Sequence, residues 1–83
     1  MDVRKTQTYY SLVKIPIDPK ILDLSKHIRR RGDLREISEM AYGTGGYNNR
    51  VFYALLTGRA DKDLAEAIEK FYTDRLAEIE AIK

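Results

Sequence analysis

Tyr47-Asn48-Asn49-Arg50-Val51-Phe52-Tyr53-Ala54-Leu55-Leu56-Thr57-Gly58-Arg59 is the run of residues around which the chain makes sense. Gly45-Gly46 in front of it reads as a turn, and Gly58 behind it reads as a helix C-cap. About three helical turns fit between them. Val51, Phe52, Leu55 and Leu56 fall at i, i+1, i+4 and i+5 and form one apolar stripe. Asn48, Asn49, Arg50 and Tyr53 sit mostly off that stripe, so the first turn is polar and faces outward. Asn and Arg are shaped for two-point contacts with base edges, Asn with adenine and Arg with guanine. A short helix with an anchored apolar back and a polar leading edge is one that a DNA major groove accepts. The same pattern also fits an ordinary amphipathic helix in a small bundle.

The run resembles the recognition helix of helix-turn-helix regulators, namely phage repressor and Cro-like domains and the headpieces of LacI-type repressors. In those families the helix often runs polar-polar-x-x-Val/Ile-x-x-Val/Leu-Leu-Asn-Gly-Lys/Arg. Here Phe52 stands in the buried β-branched place, Leu55 in the second buried place, and Gly58-Arg59 in the terminator. Ser38 stands where the family favours a small residue because two helices cross closely. The resemblance spans residues 33–73, about half the chain. It departs from the family in the turn, Tyr42-Gly43-Thr44-Gly45-Gly46, which is about four residues longer than usual; extra loop length costs little entropy. The resemblance implies sequence-specific binding of double-stranded DNA by a bacterial or phage-like transcriptional regulator, such as a repressor, working as a dimer in the cytoplasm. Asn48, Asn49, Arg50 and Tyr53 would then meet base edges. Thr44, Arg35, Arg59 and Lys62 would meet phosphates.

Eighty-three residues make one small domain, 1–83, whose thin stability margin favours dimerisation. With 43% apolar and 34% charged residues the composition is globular rather than disordered. The absence of cysteine excludes disulfides and thiolate metal sites, and a single histidine cannot build a zinc site. No apolar run approaches the roughly 20 residues of a membrane helix. Met1–Lys5 has no apolar segment behind it, so no secretory signal is expected. The net charge of +2 is unevenly spread. Residues 1–59 carry eleven Lys/Arg against six Asp/Glu, and residues 60–83 carry four against seven. The basic part contains the candidate recognition helix, which suits one face turned to phosphate and one turned away.

The expected fold is mainly α: a bundle of four helices near 19–31, 33–42, 48–57 and 61–82 containing a helix-turn-helix, with one N-terminal strand or extended arm over 1–17. Tyr9–Ile17 reads as a strand, with Val13, Ile15 and Ile17 on one face and Pro16 suited to an edge or end. With no second strand in sight, it is expected to pair across a dimer axis or to pack as an extended segment. Arg4 and Lys5 in the arm could touch phosphate. Asp18-Pro19 opens the first helix, and Lys26 with Arg29–Arg31 closes it. Asp33 is expected to cap the second helix, with Glu36 in capping-box spacing. Asp61 caps the last helix, where Leu64, Ile68, Phe71, Tyr72, Leu76, Ile79 and Ile82 form a continuous stripe and Glu66–Lys70 an i, i+4 pair. Leu64 to Tyr72 should close the core. Leu76, Ile79 and Ile82 have little monomer left to pack on and are assigned to a dimer interface.

Two other readings fit. The strand followed by a helix resembles ribbon-helix-helix repressors, in which Tyr10, Leu12 and Lys14 would face DNA. Exposed Tyr47, Tyr53 and Tyr72 would suit a non-enzymatic helical module that binds protein. An enzyme is not expected, since no Ser/His/acid set or paired carboxylate in an apolar setting is present. His27 is expected on the surface. A nucleotide site at the glycine turn is disfavoured, because no Gly-Lys-Ser/Thr follows and no strand feeds it. No cofactor or metal is expected.

Overall fold

A computed structural model describes residues 14–82. In chain order it contains β1 (Ile15–Pro16), α1 (Pro19–Ile28), α2 (Asp33–Tyr42), α3 (Asn48–Thr57), β2 (Arg59–Ala60) and α4 (Lys62–Ile82). The expected small helical domain of four helices is therefore present. The expected segment 9–13 of the strand, and the arm before it, lie outside the described residues.

The strand has a partner within its own chain. β1 pairs antiparallel with β2, Ile15 opposite Ala60 and Pro16 opposite Arg59. The Ile17 amide extends the ladder to the Gly58 carbonyl at 2.8 Å. This corrects the expectation of a strand with no partner in its own chain, left to pair across a dimer axis or to pack as an extended segment. The reason is length: two residues after Gly58 are too few to show a period-two pattern, yet enough to pair.

Asp18 caps α1 as expected, its carboxylate accepting the Lys20 amide at 2.9 Å, with Pro19 in the first turn. The helix stops at Ile28, three residues before the expected end. Arg29 is extended, with ψ of 138°. The Arg75 guanidinium of α4 donates to the Ile28 carbonyl at 3.3 Å, and the Asp33 carboxylate accepts the Arg30 amide at 2.7 Å. Asp33 is not the cap of α2; Gly32 holds that place and makes no side-chain cap bond. The Asp33 carboxylate instead receives Arg75 and the Tyr72 hydroxyl, and is buried.

The centre of the molecule is Ile17, Ile37, Val51, Leu64, Ile68 and Tyr72, closed by Ala54, Ala60, Ala65 and Ala67. The front of α4 thus covers the other helices, as its stripe required. Its back half is different: Leu76 and Ile79 are half-buried and Ile82 is 85% exposed. Lys70 turns forward to Asp74 at 3.2 Å rather than back to the expected Glu66. His27 is exposed, as expected. Among the described residues, no helix is long and apolar enough to cross a membrane.

The buried side of α3 is rotated from the expected stripe. Val51 and Ala54 are buried and Leu55 half-buried, whereas Phe52 and Leu56 are exposed. The helix turns its small residues inward. Gly58 ends it at φ +77°, and a Cβ there would stand 3.1 Å from the Leu22 side chain, so both conformation and space favour glycine. Close approach on the Ala54–Gly58 side leaves the bulkier Phe52 and Leu56 outside.

Candidate nucleic-acid interface

α2 and α3 meet across the long turn, and Ser38 organises it. Its buried hydroxyl donates to the Thr44 carbonyl at 2.7 Å and accepts the Tyr47 amide at 3.1 Å. The Ser38 hydroxyl is therefore a polar staple that holds the turn between α2 and α3. Gly43 closes α2 in a left-handed conformation, its amide on the Glu39 carbonyl at 2.8 Å. Gly45 lies under Arg35: an added Cβ would be 2.7 Å from Arg35 Cγ. Arg35 therefore lies along the turn that leads into α3, where it also pairs with Glu39 at 3.3 Å. α3 begins after Tyr47 with no side-chain cap and no acidic residue in its first turn. The positive end of the helix dipole there is free of neutralising charge from its own first turn.

All four expected base-contact residues, Asn48, Asn49, Arg50 and Tyr53, are exposed. They do not point the same way. Asn49, Phe52, Tyr53 and Leu56 fall at i, i+3, i+4 and i+7, opposite the buried Val51–Ala54 side. Arg50 and Thr57 lie on one flank. Arg50 is folded back: its guanidinium is 5.6 Å from the Tyr42 ring centroid and 5.7 Å from that of Tyr47. Those two rings meet edge to face at 4.9 Å. The Tyr42 hydroxyl donates to Asp61 at 2.8 Å, and burial and that bond push its pKa up to about 12. The Tyr42 hydroxyl in turn raises the already high pKa of Arg50.

The flank of α3 that carries Arg50 borders a groove of about 440 Å³ lined by Lys14, Arg50, Tyr53, Thr57, Arg59 and the apolar floor Ala54, Ala60 and Leu64. Among the described residues, three cations line it and no carboxylate does. The β1–β2 pairing is what brings Lys14 and Arg59 to its rim, since Lys14 immediately precedes β1 and Arg59 opens β2. A second groove, between α2 and α4, has the opposite sign: Asp63 and Glu66 against Lys70, with Met40, Ala41 and Ala67. The charge asymmetry of the sequence thus becomes two differently charged sides.

Of the expected phosphate contacts, Arg59 lies in the cationic groove, Arg35 and Thr44 lie at the turn, and Lys62 is exposed at the start of α4. Lys14 belongs with Arg50 and Arg59, although sequence reasoning had given it only to a ribbon. The Tyr42–Tyr47–Arg50 cluster has no clear signal in the sequence beyond two tyrosines flanking a glycine turn. Leu76, Ile79 and Ile82, the expected dimer residues, lie on the last two turns of α4, Leu76 and Ile79 half-buried and Ile82 exposed.

No protein-family model, no curated protein and no solved structure matches this chain.

Proposed function

We propose that this protein binds double-stranded DNA with α3 as the helix that enters the major groove, and that it acts as a dimeric, bacterial or phage-like transcriptional regulator in the cytoplasm. The observation that carries the reading is the two-sidedness of α3. Val51 and Ala54 clamp its back into the core, while Asn48, Asn49 and Tyr53 stand in solvent, and Tyr53 with Arg50 borders a groove also lined by Lys14 and Arg59. A helix in a major groove is flanked by sugar–phosphate strands, and a cationic trough alongside it complements one of them. Asn49 and Tyr53 read bases. Asn48 borders them, and Arg50 can swing from its tyrosine bracket to a guanine or stay and meet phosphate. Arg59 and Lys14 hold one strand, Arg35 and Thr44 the turn side, and Lys62 the start of α4. Leu76, Ile79 and Ile82 join two copies.

Fluorescence anisotropy tests this. The protein should bind mixed-sequence duplex at low salt, with affinity falling steeply as salt rises. On a duplex recovered by in vitro selection, Asn49→Ala should cost about 1–3 kcal/mol and relax one position, whereas Lys14→Ala should weaken all sequences alike and lower the salt slope by about one. Specific loss at Lys14 with none at Asn49 would favour a ribbon arrangement instead. No binding at low salt would remove the DNA reading. It would leave the second reading, a helical module that binds protein, which the exposure of Phe52 and Leu56 at 42% and 68% favours.

A further inference from the structure

Phe52 is an exposed aromatic side chain in a place where burial was expected, and its neighbours say what it could touch. It lies outside the core at 42% exposure, three residues after the exposed Asn49 and so on the same face of α3. Among the described residues its ring pairs with Tyr53, the centroids 5.8 Å apart and the planes edge to face. The face therefore offers a carboxamide and, beside it, an apolar ring. One base pair presents a matching edge. Adenine offers the N6/N7 donor–acceptor pair that a carboxamide takes, and the thymine opposite it carries the only methyl group in the major groove. A G·C pair has neither the match for Asn nor the methyl.

We infer that Phe52 is a specificity-determining residue that reads the C5-methyl group of the thymine paired with an adenine read by Asn49. The inference rests on the DNA-binding reading of α3 and adds the identity of the base step it prefers. It places an A·T pair in the α3 contact and gives a role to the ring beside Asn49, on a face that also exposes Tyr53 and Leu56.

The test removes the methyl from the DNA rather than a group from the protein. In the selected duplex each thymine is replaced in turn by deoxyuridine, which keeps every hydrogen-bonding group of the base. One replacement should weaken wild-type binding about fourfold, the equivalent of one methyl group left in water. In Phe52→Ala the same replacement should have no effect, and the variant should already bind the thymine duplex more weakly. Phe52 lies outside the core, so the variant should keep the wild-type far-UV circular dichroism spectrum, recorded alongside. If no deoxyuridine position matters to the wild type, or if the effect persists in Phe52→Ala, the inference is overturned while DNA binding stands. The Phe52–Leu56 strip would then be left to a protein contact. If no duplex is bound at all, the underlying DNA reading fails with it.

Discussion

Asp33 is a buried carboxylate with three partners, one from the residues just before it and two from α4. It accepts the Arg30 amide, the Tyr72 hydroxyl at 3.5 Å and the Arg75 guanidinium, whose side chain is only 11% exposed. The Arg75 guanidinium also lies 4.6 Å from the Phe71 ring. Removing one partner of such a pair leaves an uncompensated charge out of water. Asp33→Asn should therefore lower stability in urea unfolding by about 3 kcal/mol, whereas Asp74→Ala, which breaks the exposed Lys70–Asp74 pair, should cost about 0.5 kcal/mol or less. Equal costs would show that burial does not govern the Asp33 pair. Two tyrosines give a second readout. Burial raises the pKa of Tyr42 and Tyr72 from 10.0 to about 12, assisted by Asp61 and Asp33 respectively. The native state keeps these protons longer than the unfolded chain. Their contribution is full below pH 10.0 and is lost as pH rises toward about 12. Stability measured across that window should fall, and ultraviolet titration should show two late-ionising phenols.

At the level of elements, the α2–turn–α3 unit depends on Ser38 more than on any apolar contact in the turn. Ser38→Ala would leave the Tyr47 amide and the Thr44 carbonyl without their shared partner, in a buried place. An unsatisfied buried polar group costs about 1–3 kcal/mol, and thermal unfolding should show that loss. The entry of the chain into α3 would loosen as well, so DNA affinity should drop in Ser38→Ala although the residue lies behind the reading face. Ser38→Gly should do no better, because it removes the same hydroxyl. An unchanged melting temperature would mean that the turn is held by its glycine conformations alone. The rotation of α3 belongs here too. Its sequence has two possible apolar sides, Val51–Phe52–Leu55–Leu56 and Val51–Ala54–Leu55, and helical periodicity favours the bulkier one. The close approach at Ala54 and Gly58 selects the other.

For the whole molecule the open question is the second copy. The back half of α4 carries Leu76 and Ile79 half-covered and Ile82 in solvent, a strip that one chain leaves incomplete. Sedimentation equilibrium should find a dimer for the wild type. The double variant Ile79→Lys, Ile82→Lys should be a monomer of unchanged helix content with weaker binding to a two-half-site duplex. A wild-type monomer at micromolar concentration would remove the assignment of Leu76, Ile79 and Ile82. On the proposed DNA-binding reading, the groove lined by Lys14, Arg50 and Arg59 is the side offered to phosphate, and the groove with Asp63 and Glu66 is not.

Much of this architecture is local and therefore readable in the chain. Asp18-Pro19 starts α1, Gly43 and Gly58 end α2 and α3, and Asp61 starts α4, because each signal acts on amides and carbonyls within one helical turn of itself. The exposure of Asn48, Asn49 and Tyr53 was legible because neither of the two possible apolar sides of α3 includes them. The β1–β2 pairing, the early end of α1 at Arg75's touch, the bracket of Arg50 by Tyr42 and Tyr47, and the exposure of Phe52 were not. Each depends on groups brought together from separate parts of the chain. Local preference decides where a helix begins and stops, but which of its sides is buried is set by the neighbours it meets, and those are known only once the helices have packed.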